Sequence, residues 1–195
     1  MLEFLKQIDF QVFIFLNGMH AAFFDPIMVW LSSKLIWIPM YLFFIYLLWK
    51  HYGKSVLWIL LFVIPLILLS DTGSVILFKN VFMRLRPCHT KSLEGVIHLV
   101  NGYCGGPYGF VSSHASNTFA IAFFLNFFLK SKYKYFTLFI FFWCSAVSYS
   151  RIYLGAHFPG DVICGAAWGT TSAIITIMLF SLVQKRFKLG FLENK

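Results

Sequence analysis

An all-α fold, a polytopic transmembrane helical bundle of about five or six spans, is what this sequence predicts, and three observations predict it. Hydrophobic residues make up 59% of the 195 positions and charged residues 12%, a balance far more apolar than that of a soluble domain. The apolar residues fall into long runs separated by short polar breaks, and the cations gather at the ends of the runs. A chain of this length holds several spans of about twenty residues each and no second folded domain beside them. The expected division is therefore an N-terminal interfacial or partly spanning segment, 1–34, followed by a membrane bundle over 35–195.

In order along the chain, 4–16 mixes apolar residues with Lys6, Gln7 and Asp9, and either lies on the membrane surface or forms part of a span. Residues 1–9 lack a cationic leader region and no small-residue cleavage site follows, so this segment is expected to stay in the mature chain. Ser32-Ser33-Lys34 joins 27–31 to 35–49, a kinked or partly interfacial pair. Residues 56–78 read as a full span, interrupted by Pro65 and by Ser70-Asp71-Thr72-Gly73, that delivers Lys79 at its end. A carboxylate such as Asp71 inside an apolar run needs a partner, either Lys79 above it or a neighbouring helix.

Residues 88–111, with Gly102, Gly105, Gly106 and Pro107, read as an irregular loop capping a pocket. Three further spans follow over 115–129, 135–149 and 162–183. Gly165 and Gly169 have the spacing of a close helix contact within the chain. Cys144 and Cys164 fall inside spans as packing residues, whereas an oxidising exterior permits a disulfide between Cys88 and Cys104, a pairing the sequence leaves open. The 25 phenylalanines are lipid-facing and core surface, and His20, His51, His89 and His98 belong to loops and interfaces.

Three short stretches hold most of the polar chemistry: Lys79-Asn-Val-Phe-Met-Arg-Leu-Arg86-Pro87, Ser112-Ser113-His114, and Ser150-Arg151 running through His157 to Asp161. Each alone means little, since cations at span ends are usually anchors. An even number of crossings separates them, so all three meet on one side of the membrane. Together they form a phosphate-handling set: cations to neutralise phosphoryl oxygens, one imidazole to attack phosphorus, another to protonate the leaving oxygen, and a carboxylate to orient a ring. The basic balance, a net charge of +9, is thus topological and catalytic, and no nucleic-acid partner is expected.

The pattern resembles the type 2 phosphatidic acid phosphatases, a superfamily that includes glucose-6-phosphatase and the vanadium haloperoxidases, whose motifs run K-x6-R-P, P-S-G-H and S-R-x5-H-x3-D. Lys79, Arg86 and Pro87 match the first, and Ser150, Arg151, His157 and Asp161 the third. The second departs: Val111 stands at the family's proline and Ser113 at its glycine, and serine lacks glycine's freedom to take positive φ. The resemblance implies that His157 forms a phosphohistidine, with Asp161 accepting its Nδ1–H. His114, at the start of its helix, serves as general acid and then base. Lys79, Arg86 and Arg151 hold the phosphoryl oxygens, while the Ser112 hydroxyl and the backbone N–H groups around Ser113 add donors. No metal and no cofactor are called for, because no carboxylate cluster is available for Mg²⁺.

The expected activity is removal of a phosphate from a lipid phosphomonoester or diphosphate entering from the bilayer. By resemblance undecaprenyl diphosphate comes first, with lipid A phosphate and phosphatidylglycerophosphate as alternatives. A non-catalytic anion transporter or lipid-binding protein would account for the cations but not for His157-x3-Asp161. The ends opposite the motifs carry nine cations (Lys50, Lys54, Lys130, Lys132, Lys134, Lys185, Arg186, Lys188 and Lys195) and the motif side six (Lys34, Lys79, Arg84, Arg86, Lys91 and Arg151), which points the site outward from a bacterial inner membrane.

Overall fold

The computed structural model describes residues 2–102 and 104–187. It is all-helical, with no strand among the described residues. The helices are α1 (Leu2–Gly18), α2 (Asp25–Ser32), α3 (Ile38–Tyr52), α4 (Val56–Ile67), the short α5 (Asn80–Phe82), α6 (Ser113–Leu129), α7 (Phe136–Tyr153) and α8 (Pro159–Arg186). The stretches Leu35–Phe82 and Pro159–Arg186 are long and apolar enough to cross a membrane. Gly53, at φ +52°, caps α3 and turns the chain into α4. Outward faces are hydrocarbon: Phe142, Leu138 and Ile163 are each about 70% exposed, as suits a surface solvated by lipid.

The interruption expected around residues 70–73 does not break the helix. Between α4 and α5 the chain widens into π-helical turns, Leu68–Thr72 and Ser74–Lys79. Neighbouring helices satisfy the displaced carbonyls: Trp168 Nε1–H donates to Leu69 O (3.0 Å) and Ser116 Oγ–H to Ser70 O (3.0 Å). Asp71 Oδ1 accepts from Asn117 Nδ2 of α6 at 2.8 Å, so the neighbouring-helix alternative describes its hydrogen bond.

The closest packing is α6 against α8. A Cβ at Gly165 would lie 2.5 Å from the Ser112 carbonyl oxygen, and one at Gly169 would collide with the Ser116 carbonyl. These glycines make an internal helix contact, as their spacing implied. Away from the motifs, Phe44, Leu48, Ile59, Phe124, Phe128, Ile140 and Phe180 fill the core between α3, α4, α6, α7 and α8, with Phe128 and Phe180 edge to face at 5.1 Å. Cys144 is buried there, but Cys164 faces outward from α8, because the inward face at that level is taken by Gly165.

The N-terminal helices lie on the motif end of the bundle. Asn17, buried on α1, donates to the carbonyls of His98, Ile152 and Tyr153 and accepts the His98 N–H. Tyr153 donates its hydroxyl to Asp25 Oδ1 (2.6 Å), which also pairs with His98. These bonds hold Asp25's carboxyl below the usual carboxylate range. Cys88 and Cys104 form a disulfide across the loop, with Cα atoms 6.0 Å apart. Of the basic residues assigned to the opposite end, Lys188 and Lys195 lie outside the described residues.

Gly169→Leu should force α6 and α8 apart, because the obstruction is backbone, and overpacking of this kind costs about 1–3 kcal/mol or more. The expected result is a lower apparent melting temperature in detergent and loss of activity. Leu182→Ala, on the exposed side of α8, should change neither measurably.

Candidate active site

One cavity of about 580 Å³ opens at the motif end. Lys79, Arg86, Ser113, His114, Arg151 and His157 line it, so residues from all three motifs share one wall space. Asp161 and Ser112 stand behind that wall, both fully buried. Ser112 caps α6: its Oγ accepts from Ala115 N (3.4 Å), and its own N–H donates to Asp161 O (2.9 Å). That backbone bond ties the second motif to the third.

Arg84 and Arg86 flank Leu85 in an extended segment, so their side chains emerge on the same face. A short antiparallel pairing fixes the segment: Leu85 bridges Tyr108, Arg86 N–H donates to Pro107 O (3.0 Å) and Gly109 N–H to Arg84 O (2.8 Å). Arg86 Nη1 then reaches both Ala156 O (3.2 Å) and His157 Nε2 (3.1 Å). A guanidinium only donates, so Nε2 must be the unprotonated nitrogen and Nδ1 carries the proton. His157 is 1% exposed, and burial, followed by Arg86, Arg151 and Lys79, holds its pKa well below the usual histidine value. The ring is neutral at neutral pH, with its lone pair directed at a guanidinium.

Nδ1 faces Asp161 Oδ2 at 3.6 Å, too far for the direct hydrogen bond expected from the sequence. The carboxylate is already engaged elsewhere, because Oδ2 accepts the Phe158 N–H (3.0 Å) and Oδ1 accepts from Arg84 (2.9 Å). Gly155, at φ +69°, ends α7 and turns the chain back so that His157 points inward.

Serine at the glycine position causes no backbone strain, since Ser113 is the first residue of α6 and its φ is not positive. Its hydroxyl has a specific place. Lys79 Nζ donates to Ser113 Oγ (2.7 Å), Ser113 to Ser74 Oγ (2.7 Å), and Ser74 to Asp71 O (2.7 Å), an order set by the Asp71 carbonyl, which can only accept and so takes Ser74's single hydroxyl proton. Arg151 is buried and contacts Ser32 Oγ at the C-terminal end of α2.

Sequence reasoning assigned no role here to Ser32, Lys34 and Asn117, which also line the cavity, nor to Arg84 and Asp9, which lie beneath it. The readable signal was polarity in an apolar setting: Asn117 and Asp9 interrupt hydrophobic helices, and Ser32-Ser33-Lys34 breaks a hydrophobic run.

The profile of the PAP2 superfamily matches residues 56–185, a span that contains every motif residue. The chain belongs to the PAP2 superfamily. It is 37% identical over 171 residues to the lipid A 4'-phosphatase of Bacteroides thetaiotaomicron, covering 87% of this chain and 75% of that one. The lipid A 4'-phosphatase of Porphyromonas gingivalis is 34% identical over 171 residues, covering 86% and 71%. Among solved structures, Aquifex aeolicus LpxE superposes with a TM-score of 0.65 at 25% identity, over 87% of this chain and 94% of that one. A PAP2-type phosphatidylglycerolphosphate phosphatase from Bacillus subtilis gives a TM-score of 0.67 at 18% identity, over 92% and 87%, and shares the fold. The protein is thus a PAP2-type membrane phosphatase acting on lipid.

Ser113→Ala should cost roughly tenfold in kcat/KM, the size of one lost charge-assisted hydrogen bond, because it removes the acceptor that fixes Lys79. Ser113→Gly, which installs the usual family residue, should lose as much. Unchanged phosphate release in both variants would show that Lys79 is held without the hydroxyl.

Proposed function

We propose that the protein removes a phosphate group from lipid A through a phosphohistidine on His157. The observation that carries this reading is the convergence of His157, His114, Lys79, Arg86 and Arg151 on one cavity, in a chain whose 34–37% identical relatives are lipid A 4'-phosphatases. Those relatives favour lipid A over undecaprenyl diphosphate, which the motifs alone placed first. An apolar groove of about 260 Å³ shares Tyr41, Ile67 and Ile121 with the cavity and offers an acyl chain a dry path beside it.

His157 Nε2 attacks phosphorus as the bond to the sugar oxygen breaks, and His114 delivers a proton to that oxygen. Lys79, Arg86, Arg151 and the backbone N–H of Ser113 hold the three phosphoryl oxygens, with Ser112 setting the helix terminus behind them. Arg86 now donates to Nε2, so the phosphoryl oxygens must take over this donor before attack. Substrate binding and exposure of the nucleophile are then one event. Asp161 faces the Nδ1–H and stabilises the positive ring of the phosphohistidine. Water, deprotonated by His114, attacks phosphorus and releases inorganic phosphate and neutral His157.

Residues 1–34 form the interfacial or partly spanning segment and 35–195 the bundle, whose site faces away from the cytoplasm of a bacterial inner membrane. The cation asymmetry supports that orientation.

Purified protein should release phosphate from lipid A faster than from undecaprenyl diphosphate or phosphatidylglycerophosphate, and His157→Ala should lose at least about a thousandfold, the scale of removing a nucleophile. Preference for undecaprenyl diphosphate would overturn the substrate assignment, and near-normal turnover by His157→Ala the mechanism. Orientation is read separately, with single-cysteine variants in a background lacking the native cysteines. A cysteine at Glu94 should react with an impermeant maleimide in intact cells, and one at Ser131 only after permeabilisation; the reverse pattern would place the site inside.

A further inference from the structure

Behind the His157–Asp161 pair lies a second layer of charge that none of the three motifs accounts for. Arg84 Nη1 donates to Asp161 Oδ1 at 2.9 Å, and Arg84 Nη2 donates to Asp9 Oδ2 at 2.6 Å. The other oxygen of Asp9 accepts the Gly160 N–H at 2.7 Å, at the start of α8 and one residue before Asp161. The Arg84 guanidinium also stacks over the Phe158 ring, 4.2 Å from its centroid, and Phe158 packs edge to face on Phe13 of α1 at 5.1 Å. Gly160 is required for this approach, since a Cβ there would lie 2.9 Å from Asp9 Oδ2.

We infer that Asp9 and Arg84 are positioning residues for catalysis, a relay in which helix α1 sets, through Arg84, the orientation of Asp161 toward His157. Three features carry this. Asp161 is fully buried, and a buried carboxylate without a compensating charge is costly to keep ionised; Arg84 supplies that charge. Asp161 makes no direct hydrogen bond to His157 Nδ1, so its alignment at 3.6 Å must be imposed from its other side, and Arg84 and the Phe158 N–H are the donors present there. Arg84, 28% exposed, is fixed on its second nitrogen by Asp9, itself 14% exposed, which sets the angle at which its first nitrogen meets Asp161. Arg84 and Arg86 thus divide the work of one extended segment, Arg86 facing the reacting nitrogen and Arg84 the carboxylate that serves the opposite nitrogen. Asp9 lies outside residues 56–185, so this part of the site comes from a helix beyond the reach of the family profile.

The inference rests on His157 as nucleophile, and the test separates the two. Full-length protein in detergent is assayed with p-nitrophenyl phosphate for steady-state kcat and KM, and by rapid quench for acid-labile labelling of the protein from ³²P-labelled substrate. Arg84→Gln and Asp9→Asn should each lower kcat and the labelling rate about 10–100-fold, the range for partners that orient a functional imidazole, with KM changed less than about twofold. Arg84→Lys, which keeps the cation, should recover part of the loss. In an Asp161→Asn background neither substitution should add a further loss, since the relay acts only through that carboxylate. Multiplicative losses in the double variants, or a raised KM with kcat unchanged, would overturn the relay. Asp9→Asn retains an oxygen for the Gly160 N–H and so tests the charge pair with that cap intact; a melting temperature within error of wild type accompanying undiminished labelling also overturns it. Should His157→Ala still form labelled protein, the nucleophile assignment fails instead.

Discussion

Everything at the site depends on how closely α6 and α8 approach. With glycine at 165 and 169 the backbone of α8 sits against the carbonyls of Ser112 and Ser116, and at that distance the Ser112 N–H can bond the Asp161 carbonyl directly. One main-chain hydrogen bond therefore sets the start of the helix that carries His114 against the turn that carries His157. Neither histidine is placed by its own local sequence alone. In a bilayer, where apolar association between helices has little driving force, this contact relies on small residues and backbone proximity.

Electrostatics then explains why the site is poised for an anion. Lys79, Arg86 and Arg151 surround a cavity in which Asp71 is the carboxylate among the described lining residues, and its Oδ1 already accepts from Asn117. Serine hydroxyls and carbonyls meet these cations without cancelling their charge: Ser113 takes Lys79, Ser32 takes Arg151, and Ala156 O takes Arg86. A phosphoryl group brings the compensating charge as well as the acceptors. Asp161 is kept apart on the far side of His157, where Arg84 occupies it, so it does not neutralise the cations that line the cavity.

Much of this was legible in the sequence because the family's chemistry is written in local spacings. Lys79 and Arg86, or His157 and Asp161, sit a few residues apart, and hydrophobic runs place their ends on one side. Helices α6, α7 and α8 lie close to the runs that forecast them. The π-helical turns were not legible, because Pro65 and the polar group at 70–73 resemble a break, and it is Ser116, Asn117 and Trp168 from other helices that satisfy the widened turns. The long Nδ1 to Asp161 separation was hidden for a similar reason, since it follows from what else the carboxylate binds.

The N-terminal helices show where such reading stops. Asp9 and Asn17 are ordinary polar residues in an apolar segment, and nothing in their spacing says what they meet. Their partners are 75 to 151 positions away for Asp9 and 81 to 136 for Asn17. Contacts of that range leave no periodicity behind; the readable trace is the cost of burying a polar group without a partner. That cost is itself informative. An aspartate and an asparagine retained on the inward side of an apolar helix require donors and acceptors from the surface they cover, and here that surface is the active-site end of the bundle. For the chemistry, what helix α1 covers therefore outweighs how deep it lies in the membrane, because its inward face must meet the turn that presents His157.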